Sequence, residues 1–296
     1  MMLMTDKRFF RLAAIALAVV ATVMLTACSN DDTTAVPQQE QGFFTGEVNR
    51  LIDANYPEVI ANGYAKLVIP KSMCDQGRFK FPANATIDMD AMAAAGYQVY
   101  VNGGTVRDGV MGTEAHDVDF STDATIEQIE EALPNGVKIN AFADIWVVKA
   151  YHETGLETDV APMFSIFPEL SGKADVPETR FPGQPYCNDL LEDTYSRDFT
   201  FNAMYYDYVT GDIIDYHGGL HDLREGIVRT VFNADLSVGY DPRLYFRSCR
   251  FAAKYGFKMD DALDKALKEN TEALKRINED NAVYIRPSQV SMAASP

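Results

Sequence analysis

One stretch limits what this chain can fold into more than any other: Tyr100-Val-Asn-Gly-Gly-Thr-Val-Arg-Asp-Gly-Val-Met-Gly-Thr-Glu-Ala-His-Asp-Val-Asp-Phe120. The apolar run Tyr97 to Val101 predicts a strand, Gly103-Gly104 forces a tight turn, Val106 to Met111 predicts a short helix, and Asp117-Val-Asp119-Phe120 predicts a second strand. A strand repeats every two residues, so Asp117 and Asp119 point to one side while Val118 and Phe120 point into a core. Like charges so close repel unless a cation lies between them, and a hard divalent ion, Mg²⁺ above all, suits such oxygen ligands. Beside them, backbone amides of the glycine turn and of the helix it opens can approach a phosphate chain. A lone Asp-x-Asp is common at solvated strand ends, and a lone glycine pair is usually only a turn. Their ordered succession points to phosphoryl or nucleotidyl transfer, by a scheme with two ions ~3.5–4 Å apart.

A length of 296 residues holds one sizeable domain with extensions, or two small ones. With 47% hydrophobic and 23% charged residues the chain is globular and not disordered. Its net charge of −17 argues against a large nucleic-acid footprint, because neutralising phosphates supplies most of the affinity for a nucleic-acid backbone. Arg243, Arg247, Arg250, Lys254 and Lys258 cluster in one segment and leave room for a local basic strip.

Residues 1–27 read as a signal peptide: Lys7, Arg8 and Arg11 precede the apolar run Leu12 to Leu25. The ending Leu25-Thr-Ala-Cys28 resembles a bacterial lipoprotein signal, cut before Cys28 so that lipid is attached there. The expected product is exported and membrane-anchored, on the periplasmic side or cell surface. Residues 28–84 read as a polar tether to about Gln41, then an amphipathic helix from Phe43 to Ile60, a strand within Tyr64 to Pro70, and a loop from Cys74 to Ala85.

Past a helix over Ile87 to Ala95 and the central stretch, the pattern predicts a helix from Thr125 to Leu133, started by Thr125 or Ala124. Strands follow at Val137 to Phe142, Ile145 to Tyr151 and Thr158 to Ala161, the last at a sheet edge. Glu169 to Asp189 reads as a long polar loop, and Val209-Thr-Gly-Asp212 as a hairpin turn. Asp198 and Asn202 stand four apart, a helical spacing that puts both on one face. His217 and His221, with glycines between them, read as loop histidines and not as metal ligands. In an oxidising compartment Cys74 and Cys187 could pair, leaving Cys249 buried in a helix near Tyr240 to Phe257. A charged amphipathic helix is expected over Asp260 to Arg276.

Gly103, Gly104, Val106, Arg107, Asp108, Gly112, Asp117 and Asp119, followed by Ser121-Thr-Asp-Ala-Thr125, resemble the signature of the class II tRNA nucleotidyltransferase and bacterial poly(A) polymerase family. Two later blocks extend the resemblance over residues 85–257: Arg197, Asp198 and Asn202, then Asp241, Arg247 and Arg250. It implies an α/β (α+β) fold, with a nucleotidyltransferase (polymerase-beta-like) head over 85–235, built on a small mixed sheet with helices on one side, and a truncated helical neck over 236–296. The implied activity is metal-dependent nucleotidyl transfer from ATP or CTP to a hydroxyl at an RNA 3′ end. By resemblance, Asp117 and Asp119 hold two Mg²⁺ ions. Asp159 is either a third carboxylate near them or a solvated strand acid. Gly103, Gly104, Arg107 and Arg197 meet the phosphates, Asn202 meets the sugar, Asp108 and Asp198 lie by the nucleotide, and Asp241, Arg247 and Arg250 face the base.

This chain departs from the family at four places. Ser196 replaces an arginine, Tyr240 replaces an acid, Leu244 takes the place of a motif arginine with Arg243 one residue earlier, and Pro162-Met-Phe164 stands where an arginine is often found. Those departures and the acidity keep two alternatives open: a catalytically idle or repurposed nucleotide-binding lipoprotein, and nucleotidyl transfer to a non-RNA acceptor.

Overall fold

The computed structural model describes residues 42–62, 66–74, 78–114, 118–134, 138–142, 147–153, 157–165 and 186–270. The leader with Cys28, the polar tether, Asp117 and most of the loop from Glu169 to Asp189 lie outside the described residues. Among the described residues no helix is long and apolar enough to cross a membrane.

In chain order the first half runs α1 (Gly46–Asn62), β1 (Leu67–Ile69), α2 (Ala83–Ala94), β2 (Tyr100–Val101), α3 (Gly103–Met111), β3 (Val118–Thr122), α4 (Ile126–Ala132), β4 (Lys138–Phe142), β5 (Val147–Tyr151) and β6 (Glu157–Pro162). The second half adds α5 (Leu190–Thr194), a 3₁₀ turn (Thr200–Asn202), β7 (Tyr205–Asp207), β8 (Ile213–Asp215), α6 (Gly219–Glu225), β9 (Ile227–Val228), α7 (Ala234–Tyr240), α8 (Leu244–Tyr255), β10 (Lys258–Met259) and α9 (Asp261–Glu269). Among the described residues eight strands form one mixed sheet in the order β1-β8-β7-β2-β3-β6-β5-β4. Only β3 and β6 pair in parallel within it; the other neighbours are antiparallel.

The mixed sheet agrees with the sequence, but β6 is not at its edge. It lies between β3 and β5, because the chain crosses over through α4, β4 and β5 before returning beside β3. β5 pairs with its other side and β4 with β5, so β4 lies at that edge of the sheet. The central strand keeps the expected alternation: Val118 and Phe120 are buried and Asp119 is exposed. Each such apolar side chain contributes roughly 1.5–3 kcal/mol on full burial. Thr125, one of two expected caps, closes a capping box, accepting from Gln128 N at 3.3 Å while Gln128 Oε1 accepts from Thr125 N at 2.8 Å. Helix α2 begins at Ala83, inside the segment expected to be loop, and β2 is only Tyr100–Val101.

One apolar cluster runs from Phe43 and Ile52 through Phe120, Val160 and Phe199 to Phe251 and Leu267, so α1 and the helices after residue 234 share the core of the sheet. Cys74 belongs to that cluster, whereas Cys187 sits in a second one with Met163, Leu190, Tyr205 and Ile214. The two thiols are therefore separated and form no bridge, and Cys249 is half-buried, not buried.

Candidate nucleotide site

The glycine turn is tied directly to the acidic strand. Asn102 N donates to Asp119 O at 3.1 Å, and Asn102 Nδ2 donates to Ser121 Oγ at 3.0 Å. Gly103 has φ +62°, where a side chain is strained, and α3 starts on it, three residues before the predicted start. A Cβ on Gly103 would meet nothing within 4 Å, and one on Gly104 would meet only the Arg107 guanidinium at 3.3 Å. The turn therefore faces open space bordered by a cationic group.

From that turn a chain of charge-assisted contacts reaches the helix after the head. Arg107, 7% exposed, donates through Nε to Asp108 Oδ1 at 2.9 Å and through Nη1 to Asn202 Oδ1 at 2.6 Å. Its guanidinium lies over the rings of Phe251 (5.1 Å) and Tyr255 (5.5 Å), contacts that hold a cation in a partly desolvated position. Asn202 Nδ2 donates to Asp198 Oδ1 at 2.9 Å, and Arg247 Nε donates to Asp198 Oδ2 at 2.7 Å. Asp198 and Asn202 thus share a face, though not through an α-helix: Phe199 is extended and only Thr200–Asn202 coil, as a 3₁₀ turn.

Two other expected nucleotide contacts are engaged elsewhere. Arg197 turns inward, donating to Asn102 Oδ1 (3.1 Å), Ser121 Oγ (2.9 Å), Asp193 Oδ2 (2.8 Å) and Tyr205 OH (3.1 Å). Burial works against its charge, but the neighbouring Tyr205 and Asp193 outweigh this and raise its pKa. Asp241 is gripped by Arg243, Nε to Oδ1 at 2.7 Å and Nη2 to Oδ2 at 2.6 Å, and not by Arg247. Leu244 is buried, which fits its apolar character at that position. Arg250 is exposed, with its guanidinium 5.0 Å from the Phe251 ring centre. Within the basic segment, then, Arg243 and Arg247 are committed to internal carboxylates.

The face that carries Asp119 continues across the sheet. Asp119 on β3 is in register with Asp159 on β6, and Asp159 with Lys149 on β5. Lys149 Nζ donates to both oxygens of Asp159, at 2.7 and 2.8 Å, and to Glu157 Oε1 at 3.0 Å. Among the described residues no three His, Cys, Asp or Glu side chains are grouped to hold a metal ion, and Asp117 lies outside them. The donor chemistry at Asp119 still fits a hard cation: an exposed carboxylate on the strand that is hydrogen-bonded to the open glycine turn.

The histidines belong to the scaffold. His217 Nε2 lies 2.6 Å from Thr194 Oγ1, and His221, which is on α6 and not in a loop, stacks on Tyr56 with ring centres 3.4 Å apart. The buried Asp215 carboxylate accepts from the amides of His217, Gly219 and Leu220, anchoring the start of α6. Sequence reasoning missed Asn102, Ser121, Asp193 and Lys149. For Asn102 a signal existed, a polar residue between a strand and a glycine pair; Lys149 is defined by pairing across the sheet, and the contacts of Ser121 and Asp193 by the approach of α5 and Arg197 to β3.

A mixed sheet in which a glycine turn is hydrogen-bonded to an acidic strand defines a nucleotidyltransferase-type head. Residues 99–229 match the Poly A polymerase head domain. A CCA-adding enzyme of Lactobacillus helveticus is 29% identical over 213 residues, 70% of this chain and 49% of the relative. One of Limosilactobacillus reuteri is 34% identical over 184 residues, 62% of this chain and 43% of the relative. The solved Bacillus stearothermophilus CCA-adding enzyme in complex with CTP is similar with a TM-score of 0.55 and 26% identity, over 67% of this chain and 46% of that one. The similarity to these CCA-adding enzymes and to the Poly A polymerase head domain lies in the head of the chain. It spans about half the length of the curated relatives it matches.

Proposed function

We propose that the protein transfers a nucleotidyl group from ATP or CTP to a hydroxyl, the acceptor being the 3′ end of a tRNA-like RNA. The acceptor oxygen bonds to the α-phosphorus, the bond from that phosphorus to the β-bridging oxygen breaks, pyrophosphate leaves and the hydroxyl proton is released. One observation carries this reading: the unbroken relay Arg107–Asn202–Asp198–Arg247 beside an open glycine turn that is hydrogen-bonded to the Asp119 strand. The similarity to enzymes named as CCA-adding, and to one solved with CTP, supports the substrate class.

In this reading Asp119, with Asp117, holds Mg²⁺. The ions supply a lowered pKa for the attacking hydroxyl and charge to offset the triphosphate. Arg107 lies nearest the glycine turn and offsets phosphate charge, its ring contacts and two acceptors fixing where it points. Asn202 meets the sugar, and Arg247 with Arg250 borders the base. Arg197 acts from behind, holding Asn102 and so the shape of the turn. Asp241 reaches the base only if Arg243 releases it.

The second reading, a non-RNA acceptor, draws on the net charge of −17 and on the engagement of Arg243 with Asp241. Export with lipid on Cys28 belongs to the same proposal. Cys28→Ala should release the protein from membranes, and unchanged membrane association would contradict the anchor.

The deciding experiment supplies the protein with Mg²⁺, each labelled nucleoside triphosphate in turn, and either tRNA lacking its 3′ end, a short RNA or no RNA. Label on the tRNA from CTP or ATP alone supports the reading. Label appearing on the protein or a small molecule moves the acceptor, and no label with a folded protein removes the activity.

A further inference from the structure

Asn102 is the N-cap of α3, with extended backbone at φ −142°, yet its side chain makes no capping hydrogen bond to that helix. An asparagine at this position ordinarily turns its carbonyl oxygen to the second or third amide of the helix, and the second here is Gly104. Instead the Asn102 amide faces the sheet: Oδ1 accepts from Arg197 Nη1 at 3.1 Å, and Nδ2 donates to Ser121 Oγ at 3.0 Å and to Tyr100 O at 3.4 Å. Arginine only donates, so the oxygen must face Arg197 and the nitrogen Ser121. Behind both stands Asp193 on α5, 1% exposed. Its Oδ2 accepts from Arg197 Nη2 (2.8 Å), Ser121 Oγ (3.1 Å) and Tyr205 OH (2.7 Å), and its Oδ1 accepts from Phe164 N (3.2 Å). The Ser121 hydroxyl receives Asn102 and Arg197, so its own proton goes to Asp193. One buried carboxylate thus orders both ends of the Asn102 amide, through a hydroxyl and a guanidinium.

We propose that Asp193 is a positioning residue for the glycine turn: it turns the Asn102 side chain toward β3, so that the Gly104 amide carries no side-chain cap and is left to the triphosphate. This rests on the reading of that turn as a phosphate site. A capping oxygen and a phosphate oxygen compete for the same amide, because both sit where a helix start concentrates its N–H donors. The sheet-side contacts decide between them, since the bonds to Arg197 and Ser121 must break together before the Asn102 amide can swing to the helix. Asp193 touches no substrate in this role and acts only through Arg197, Ser121 and Asn102.

The test is a binding cycle on the full chain, with CTP and ATP in the presence of Mg²⁺ by titration calorimetry, and urea denaturation of every variant as the measure of folding. Asp193→Asn and Ser121→Ala release the Asn102 amide, which can then cap Gly104. Binding should weaken about tenfold in the first and several-fold in the second, the scale of one capping bond. Asn102→Ala has no side-chain oxygen to compete. In that background the same two substitutions should change binding by less than about twofold, while both still lower the urea midpoint. A purely structural role would weaken binding alike with and without the Asn102 side chain. Equal weakening in the two backgrounds, or none in either, would overturn the inference while leaving the phosphate site standing. If Asp193→Asn does not fold, the Ser121→Ala cycle decides by the same criterion. No CTP or ATP bound by folded wild type would overturn the inference together with the phosphate reading.

Discussion

Asp198 Oδ2 accepts from Arg247 Nε at 2.7 Å, joining the 3₁₀ turn of the head to the first long helix beyond it. Because the other oxygen of Asp198 accepts from Asn202, which in turn accepts from Arg107, this contact fixes four candidate nucleotide ligands with respect to one another. Asp198→Asn keeps the shape and removes the charge. It should weaken nucleoside triphosphate binding about tenfold, as Asn202 and Arg247 are no longer held in place by a charged acceptor. The cost in folding stability should stay below about 1 kcal/mol, since the Arg247 side chain is 43% exposed and its ion pair is screened. Equilibrium binding and urea denaturation on the same variant measure both.

The glycine pair divides into a conformational and a spatial requirement. Gly103→Ala places a side chain at φ +62° and should destabilise by roughly 1–2 kcal/mol. Gly104→Ala meets only the flexible end of Arg107, at 3.3 Å, so stability should barely change while triphosphate binding falls as the methyl enters the open turn. Thermal melts and binding titrations of the two variants should therefore show opposite patterns.

Gly219 ties the start of α6 to the turn that carries Asn202. A Cβ there would lie 2.2 Å from Thr200 O and 3.0 Å from Met204 Cγ, and the nearer neighbour is backbone that cannot step aside. Gly219→Ala should cost about 1–3 kcal/mol or more and shift the urea midpoint down.

His217 makes stability depend on mild acid. Burial pushes its pKa down to about 4, whereas in the unfolded chain it titrates near ~6.5. Between these values the unfolded state binds a proton that the folded state refuses, so stability falls as pH drops from about 6.5 to about 4, by at most on the order of 3 kcal/mol. His217→Asn should flatten that part of the stability profile, measured by urea denaturation at a series of pH values.

Much of the head was legible because its signals are local. The glycine pair, the alternation around Asp119 and the Thr125 capping box each need only a few neighbouring residues. What stayed hidden depends on distant strands meeting. Lys149 meets Asp159 only when β5 and β6 pair in one register, and Arg197 turns inward only because Ser121, Asp193 and Tyr205 converge around it. Spacing alone misassigned the segment from Asp198 to Asn202: four residues suggest a helix, but an extended residue followed by a 3₁₀ turn brings the same two side chains together. Asp241 was placed with Arg247 by resemblance, yet the nearer Arg243 holds it.

The most direct measurement is pyrophosphate release from ATP and CTP by wild type and by Asp119→Asn in the presence of Mg²⁺ and an RNA acceptor. Wild type should release pyrophosphate matched to the label gained by the acceptor, and the variant should lose at least about a hundredfold, as metal-assisted charge stabilisation is worth several kcal/mol. Equal release by both proteins, with each shown to be folded, would contradict a catalytic role for the acidic strand.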